Sequence, residues 1–328
     1  MKKKSLIGVV ISASLLFLVF RNVDITEFKR AMREADYLYV IPAVILTLLS
    51  LWIRALRWRY LLLPVKSIRI GRLYSATMIG FMANNLLPAR LGELVRAYVL
   101  GNKENVSKSS CFATIVVERV FDGITLLLFL AVVMTFYSFS SPKWMVNAAG
   151  AVIAGYLLVI LFLVLLKIRT GDVIRITAGL FKRFPVKAGQ VVTETLQSFA
   201  AGLTILQSLP NIFLSFLLSL FVWLPNVLLI HLMLKSIGLE LPFFAAVVVL
   251  ASLGLGVILP SAPGFVGTVQ FVCVASLALF AVPKSQALSF SIIYHASVFI
   301  PVTIIGLAYL AAEGMSLREI RNSAEINA

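Results

Sequence analysis

Charge is what this sequence has least of. Only 13% of its 328 residues are charged, where a soluble chain of this size carries roughly 25%. The deficit runs along the whole chain. It excludes an ordinary soluble enzyme, a disordered protein, and a soluble domain on a single anchor, because no polar stretch is long enough to fold alone. Cysteine and histidine are nearly missing too, with two of each. Cys111 and Cys273 lie in or beside apolar segments without zinc or redox spacing, which excludes a disulfide scaffold and marks them as small apolar fillers. With so few ligands, a metal site of usual spacing is not expected. Phosphate-loop, dinucleotide, H-E-x-x-H and G-x-S-x-G motifs are all missing. No cofactor, no ATP motor and no catalytic residue is expected, and transport would run by equilibration, ion coupling or a partner.

Apolar residues are abundant: 60% of the chain, with a mean hydropathy of +1.00. They fall in unbroken runs rather than the alternation of a membrane β-barrel. The fold class is therefore an all-α polytopic membrane protein, one domain over 1–328, in two pseudo-repeat halves, 1–140 and 141–328. Candidate spans are 5–20, 37–53, 73–88, 112–139, 145–166, 211–234, 242–259, 265–282 and 287–312. A full crossing takes about 20 residues at 1.5 Å each. Lys2 to Phe20 resembles a signal peptide, with Ser12-Ala13-Ser14 as a cleavage site, but an uncleaved first helix is preferred because cleavage would leave a short apolar core.

The formal net charge of +15 sits in short loops, which points to topology and anionic lipid headgroups rather than nucleic acid. Arg54, Arg57, Arg59, Lys66, Arg69 and Arg72 mark the loop after the second run as cytoplasmic. Lys167, Arg169, Arg175, Lys182, Arg183 and Lys187 do the same after the fifth. The segment following residue 88 is also basic, so residues 73–100 are expected to form a re-entrant hairpin. That leaves about eight transmembrane helices plus broken or re-entrant ones, with both termini cytoplasmic in the cell (inner) membrane. Residues 168–210 alternate apolar and basic groups and suit interfacial amphipathic helices.

Two apolar segments break alike: Leu87-Pro88 to Gly92 and Leu259-Pro260 to Gly264, the second continuing through Pro263 to Gly267. Proline removes a backbone donor, and unpaired backbone groups in hydrocarbon must be satisfied by protein or water. Paired breaks in two halves are a pointer to a transporter's central site; two ordinary proline kinks are the plainer alternative. Charges flank the first break. Arg90, Glu93 and Arg96 recur at three-residue spacing, and Glu118, Arg119 and Asp122 open the long 112–139 run. An ionised residue at mid-helix costs about 2.5–3.5 kcal/mol on insertion scales, so pairing is expected: Arg90 or Arg96 with Glu118 or Asp122, and Arg119 with Glu93. Such a group is either an ion-pair lock or a polar cavity for an anionic headgroup. Asn84, Asn85 and Gln270 are placed to cap freed backbone or line that cavity, and Asn226 beside Pro225 to serve a kink. His231 and His295 suit interhelical hydrogen bonds.

The stretches Asn85-Leu86-Leu87-Pro88-Ala89-Arg90-Leu91-Gly92-Glu93-Leu94-Val95-Arg96, Glu118-Arg119-Val120-Phe121-Asp122 and Pro260-Ser261-Ala262-Pro263-Gly264-Phe265-Val266-Gly267 resemble signatures of the lysylphosphatidylglycerol synthase transmembrane-region family. The third is less glycine-rich than the family form, through Ala262 and Phe265. The resemblance implies a multi-pass protein that moves lipids between leaflets. It also implies partners: membrane lipids with anionic headgroups, and a separate lipid synthase or glycosyltransferase. A homo-oligomer is left open. A synthase activity is not implied, because the chain stops at Ala328. A membrane enzyme on a lipid-linked substrate, with Glu118 or Asp122 as base, is the rival.

Overall fold

The computed structural model describes residues 2–87, 90–136, 143–173, 175, 186–204, 208–257 and 261–326. Pro88 and Pro260, one proline from each expected break, lie outside them, as does most of 174–185 in the expected interfacial stretch. Among the described residues every regular element is helical: α1 (Lys2–Phe20), α2 (Ile25–Glu34), α3 (Val40–Leu62), α4 (Ile70–Leu86), α5 (Gly92–Glu104), α6 (Lys108–Phe136), α7 (Lys143–Ile168), α8 (Val186–Gly202), α9 (Leu209–Ser236), α10 (Phe243–Gly256), α11 (Thr268–Ala278), α12 (Lys284–Ala312) and α13 (Leu317–Ile326).

Among the described residues, three segments are long and apolar enough to cross a membrane: Tyr37–Leu62, Leu209–Ser236 and Lys284–Ala312. They account for α3, α9 and α12, which pack together at the centre of the bundle. Helix α6 has 29 residues but carries Glu118, Arg119 and Asp122 in its first half. The first apolar run does not continue straight into the next helix. Asp24 caps α2 by accepting from the amides of Thr26 and Glu27, and the chain bends by 94° between α1 and α2. An aspartate Ncap satisfies donors that a new helix leaves free, which is why the charge-balanced connection at 21–36 folds as an amphipathic helix.

The expected second span was too short. It runs to Leu62 rather than residue 53, so Arg54 and Arg57 are helical and buried, not loop residues. Arg59, one turn on the other face, is exposed.

Helices α4 and α5 fold back on each other as an antiparallel hairpin. Near its tip, Gly92 lies against the Gly80 carbonyl and the Asn84 side chain. At its base, Lys66 Nζ donates to the Glu104 carbonyl oxygen at 2.6 Å. At about 1.5 Å per residue, the 17 residues of α4 and 13 of α5 fall short of a 30 Å hydrocarbon layer. Helices α10 and α11 make a second hairpin, with Gly256 against Val272 near the tip and the Phe244 and Phe280 rings 5.9 Å apart at the base.

The bases of the two hairpins lie at opposite ends of the bundle. At one end the α4–α5 base meets the close of α12, where Lys103 Nζ is 3.1 Å from Glu313 Oε2. At the other, the α10–α11 base adjoins the end of α9 and the start of α12. There the Asp36 amide donates to the Ser236 carbonyl, and Lys284 Nζ donates to the carbonyls of Leu18 and Arg21. Two apolar cores follow this division. One gathers Trp58, Leu61, Ile79, Val95 and Ile115; the other gathers Ile230, Met233, Val249, Cys273 and Phe290.

Candidate functional site

The tips of the two hairpins meet. Arg90 Nη1 donates to the Val257 carbonyl oxygen at 3.1 Å, and its guanidinium stands 5.8 Å from the centre of the Phe265 ring. Both breaks use backbone that non-glycine residues rarely adopt: Arg90 has φ 55° and Phe265 φ 58°. Gly264 and Gly267, at φ 71° and 88°, supply the positive angles where glycine is favoured.

Side chains near each tip replace the backbone partners the breaks remove. Asn84 Oδ1 accepts from the Gly92 amide at 2.8 Å, which caps α5 from the preceding helix. Gln270 Oε1 accepts from the Gly267 amide at 2.7 Å, while Gln270 Nε2 lies 3.1 Å from His295 Nδ1. Asn85 Nδ2 donates to Thr303 Oγ1 at 2.9 Å, tying the first tip to α12. Ser12 Oγ accepts from the Ala262 amide at 2.8 Å, so α1 braces the second break. At Pro225, Asn226 Nδ2 donates to the Val222 carbonyl and to Ser50 Oγ, both at 2.7 Å.

Beside the first tip lies a buried ionic cluster. Glu118 and Asp122 are four residues apart on α6 and share a face. Asp122 receives Arg54 Nη1 at 2.6 Å, Arg57 Nη1 at 2.7 Å and the Trp223 indole N–H at 3.1 Å. Glu118 Oε1 receives Arg96 Nη1 at 2.9 Å and Arg119 Nη2 at 2.7 Å, with Arg54 Nη1 at 3.3 Å. Arg57 also donates to Ser219 Oγ at 2.6 Å. Arg96 lies 3.7 Å from the centre of the Trp58 ring. Trp58 in turn donates to Thr114 Oγ1. The site thus joins α3, α5, α6 and α9.

Of the expected pairings, Arg96 with Glu118 forms. Arg90 instead reaches the backbone of the second hairpin, and Arg119 pairs with Glu118 and with Asp122 at 3.3 Å rather than with Glu93. Arg90 and Arg96 therefore do not act from one face. Arg90 precedes α5 in a left-handed conformation, and its guanidinium binds the Val257 carbonyl rather than either carboxylate of the cluster. Glu93, Arg90 and Arg119 stay within electrostatic reach of one another. Tyr156 of α7 covers Gly123 next to them.

Arg54 and Arg57 are the partners that sequence reasoning missed. Their three-residue spacing, continued by Trp58 and Leu61 on the buried side of a run that remains apolar to Leu62, is the signal that was available.

Four guanidinium groups face two carboxylates, an excess of two positive charges. Arg54, Arg57 and Arg96 have side chains 5%, 0% and 3% exposed. Arg119 is 34% exposed and forms the open side. Several buried polar atoms have no hydrogen-bond partner among the described residues: Arg54 Nε, Arg57 Nε and Nη2, Arg96 Nε and Nη2, Arg119 Nε and Glu118 Oε2, although Arg57 Nη2 lies 3.2 Å from Glu118 Oε1 in an ion pair.

Fold and site together define a polytopic helical membrane protein with two apposed hairpins and an arginine-rich buried cluster. The chain belongs to the lysylphosphatidylglycerol synthase TM region family, whose model matches residues 5–306. It is 26% identical to a UPF0104 membrane protein of Methanothermobacter thermautotrophicus, over 97% of this chain and 98% of that one. It is 24% identical to UPF0104 membrane protein PH1989 of Pyrococcus horikoshii, over 94% and 97%. A shorter similarity, 32% identity over 120 residues, links 36% of the chain to 19% of the Glycosyltransferase AglD of Haloferax volcanii.

Proposed function

We propose that the protein translocates a phosphate-bearing lipid between membrane leaflets. The carrying observation is the contact between Arg90 and Val257: two hairpins enter the bundle from opposite ends and meet at their tips, beside a buried arginine cluster. In this reading α1, α3, α6, α7, α9 and α12 cross fully, the α10–α11 hairpin replaces the remaining two of the expected eight spans, and the α4–α5 hairpin is the re-entrant one expected beside them. In the same reading the end that carries Lys66, Arg69, Arg72, Lys103, Lys108 and Lys167 faces the cytoplasm, with both termini on that side and the protein in the cell membrane.

The headgroup enters beside Arg119, the most exposed member of the cluster, and its phosphate binds the guanidinium groups of Arg119 and Arg96. Glu118 and Asp122 hold the arginines in place. Acyl or prenyl chains stay in lipid, so only the headgroup needs a polar path. Movement of the Arg90–Val257 contact opens that path alternately to each side.

The test is leaflet exchange of a headgroup-labelled phosphate lipid in proteoliposomes. Arg96→Gln and Glu118→Gln are expected to fall to the protein-free rate while keeping wild-type helix content by circular dichroism. Wild-type rates in both variants would overturn the assignment.

The similarity to a glycosyltransferase supports a second reading, an accessory protein for an enzyme of lipid-linked sugars. Co-purification with one transferase, and no lipid exchange by the protein alone, would favour it.

A further inference from the structure

We propose that the group taken by the cluster is a doubly charged phosphate, either a phosphate monoester dianion or a diphosphate diester, and not the singly charged phosphodiester of ordinary membrane phospholipids. This rests on the reading above that the cluster receives a lipid phosphate.

The count of charges carries it. Arginine does not deprotonate in proteins, so Arg54, Arg57, Arg96 and Arg119 bring four positive charges to the carboxylates of Glu118 and Asp122. Arg90 and Glu93, at the edge, cancel each other. Burying an uncompensated charge is costly, and the excess here is two. A phosphodiester would leave one positive charge unmatched among α3, α5 and α6; a monoester dianion or a diphosphate diester, each with two negative charges, leaves none.

The donors agree with the count. Each of the four arginines keeps at least one buried guanidinium nitrogen without a hydrogen-bond partner, so unused N–H groups come from several side chains rather than from one fork. A terminal phosphate presents three acceptor oxygens, a phosphodiester two non-bridging ones. Arg119, one-third exposed, guards the entry, while Arg96 is held rigid on the Trp58 face and offers its free Nη2 and Nε.

Trp58 and Trp223 touch the cluster directly and make tryptophan fluorescence a reporter. The full chain in phosphatidylcholine nanodiscs is titrated with diacylglycerol phosphate, polyprenyl phosphate, phosphatidylglycerol and inorganic phosphate, about two pH units above the second phosphate ionisation near 6. The monoester lipids are expected to bind roughly tenfold tighter than the diester, a preference that shrinks as pH falls below that ionisation. Comparing the two lipids with inorganic phosphate separates a lipid headgroup from free phosphate as the source.

Arg119→Gln lowers the excess to one and should erase most of the preference; Arg119→Lys, which keeps the charge, should retain it. Equal affinity for monoester and diester, or an unchanged preference in Arg119→Gln, overturns the proposal while leaving lipid translocation standing. Binding of none of these phosphates overturns both.

Discussion

Arg90 satisfies a backbone carbonyl that its own helix has abandoned. Val257 follows the last residue of α10, and the break beyond it removes the amide that would have bonded its oxygen. Arg90 Nη1 takes that place at 3.1 Å, from the opposite hairpin and from a strained left-handed backbone. Charge at this position therefore serves as a clasp between the two halves of the chain.

Replacing Arg90 by alanine leaves that carbonyl unpaired. The expected loss is about 1–3 kcal/mol of stability, with faster hydrogen exchange in the last turn of α10 and little change at the bases of the hairpins. Uniform exchange throughout the bundle would deny the clasp.

The ionic cluster should respond asymmetrically. Asp122→Ala takes the shortest ion pairs from Arg54 and Arg57 and leaves both, almost fully buried, to share Glu118; breaking buried pairs costs about 3–5 kcal/mol. Arg119→Gln removes a partly exposed partner and should leave the melting temperature in detergent close to wild type. Similar melting shifts in the two variants would contradict the assigned burial.

Gly92 admits no side chain. A Cβ there would strike the Gly80 carbonyl and the Asn84 amide that caps α5. Overpacking of this kind costs about 1–3 kcal/mol. Gly92→Val should unfold at lower temperature than Gly71→Val, whose added Cβ meets nothing within 4 Å.

A latch at the basic end is tuned by pH. Burial pushes the Glu313 carboxyl up, but hydrogen bonds from Lys103 and Ser75 and the charges of Lys103 and Arg72 outweigh it, so the group sits below its ordinary value of 4.5. A carboxyl depressed in the folded state adds stability above its unfolded value and loses it as pH falls through the folded one. Wild-type protein should therefore lose stability below about pH 4.5 relative to Glu313→Gln. The readout is the difference in melting temperature between the two across an acid titration, and a constant difference would refute the latch.

The broad fold was legible because hydrocarbon imposes long apolar runs, and no rearrangement of the chain can hide them. The two breaks were legible because proline and glycine act on the backbone locally, and Asn84 and Gln270 sat where freed amides need acceptors. Arg54 and Arg57 were not. Counting charges to place loops assumes that arginine marks a helix end, and here two arginines continue inward because Glu118 and Asp122, more than 60 residues away in sequence, await them. Which of Arg90 and Arg96 would join the cluster was not legible for a related reason: three-residue spacing gives a shared face only if the helix already includes residue 90, and α5 begins at Gly92.

The most direct test joins the hairpin tips covalently. Arg90→Cys with Val257→Cys, bridged by a reducible bifunctional thiol reagent in proteoliposomes, fixes the contact that must open for a headgroup to pass. Headgroup exchange should drop to the protein-free rate on bridging and recover on reduction. Undiminished exchange with the bridge complete would show that lipid, if it moves, does not pass between these two tips.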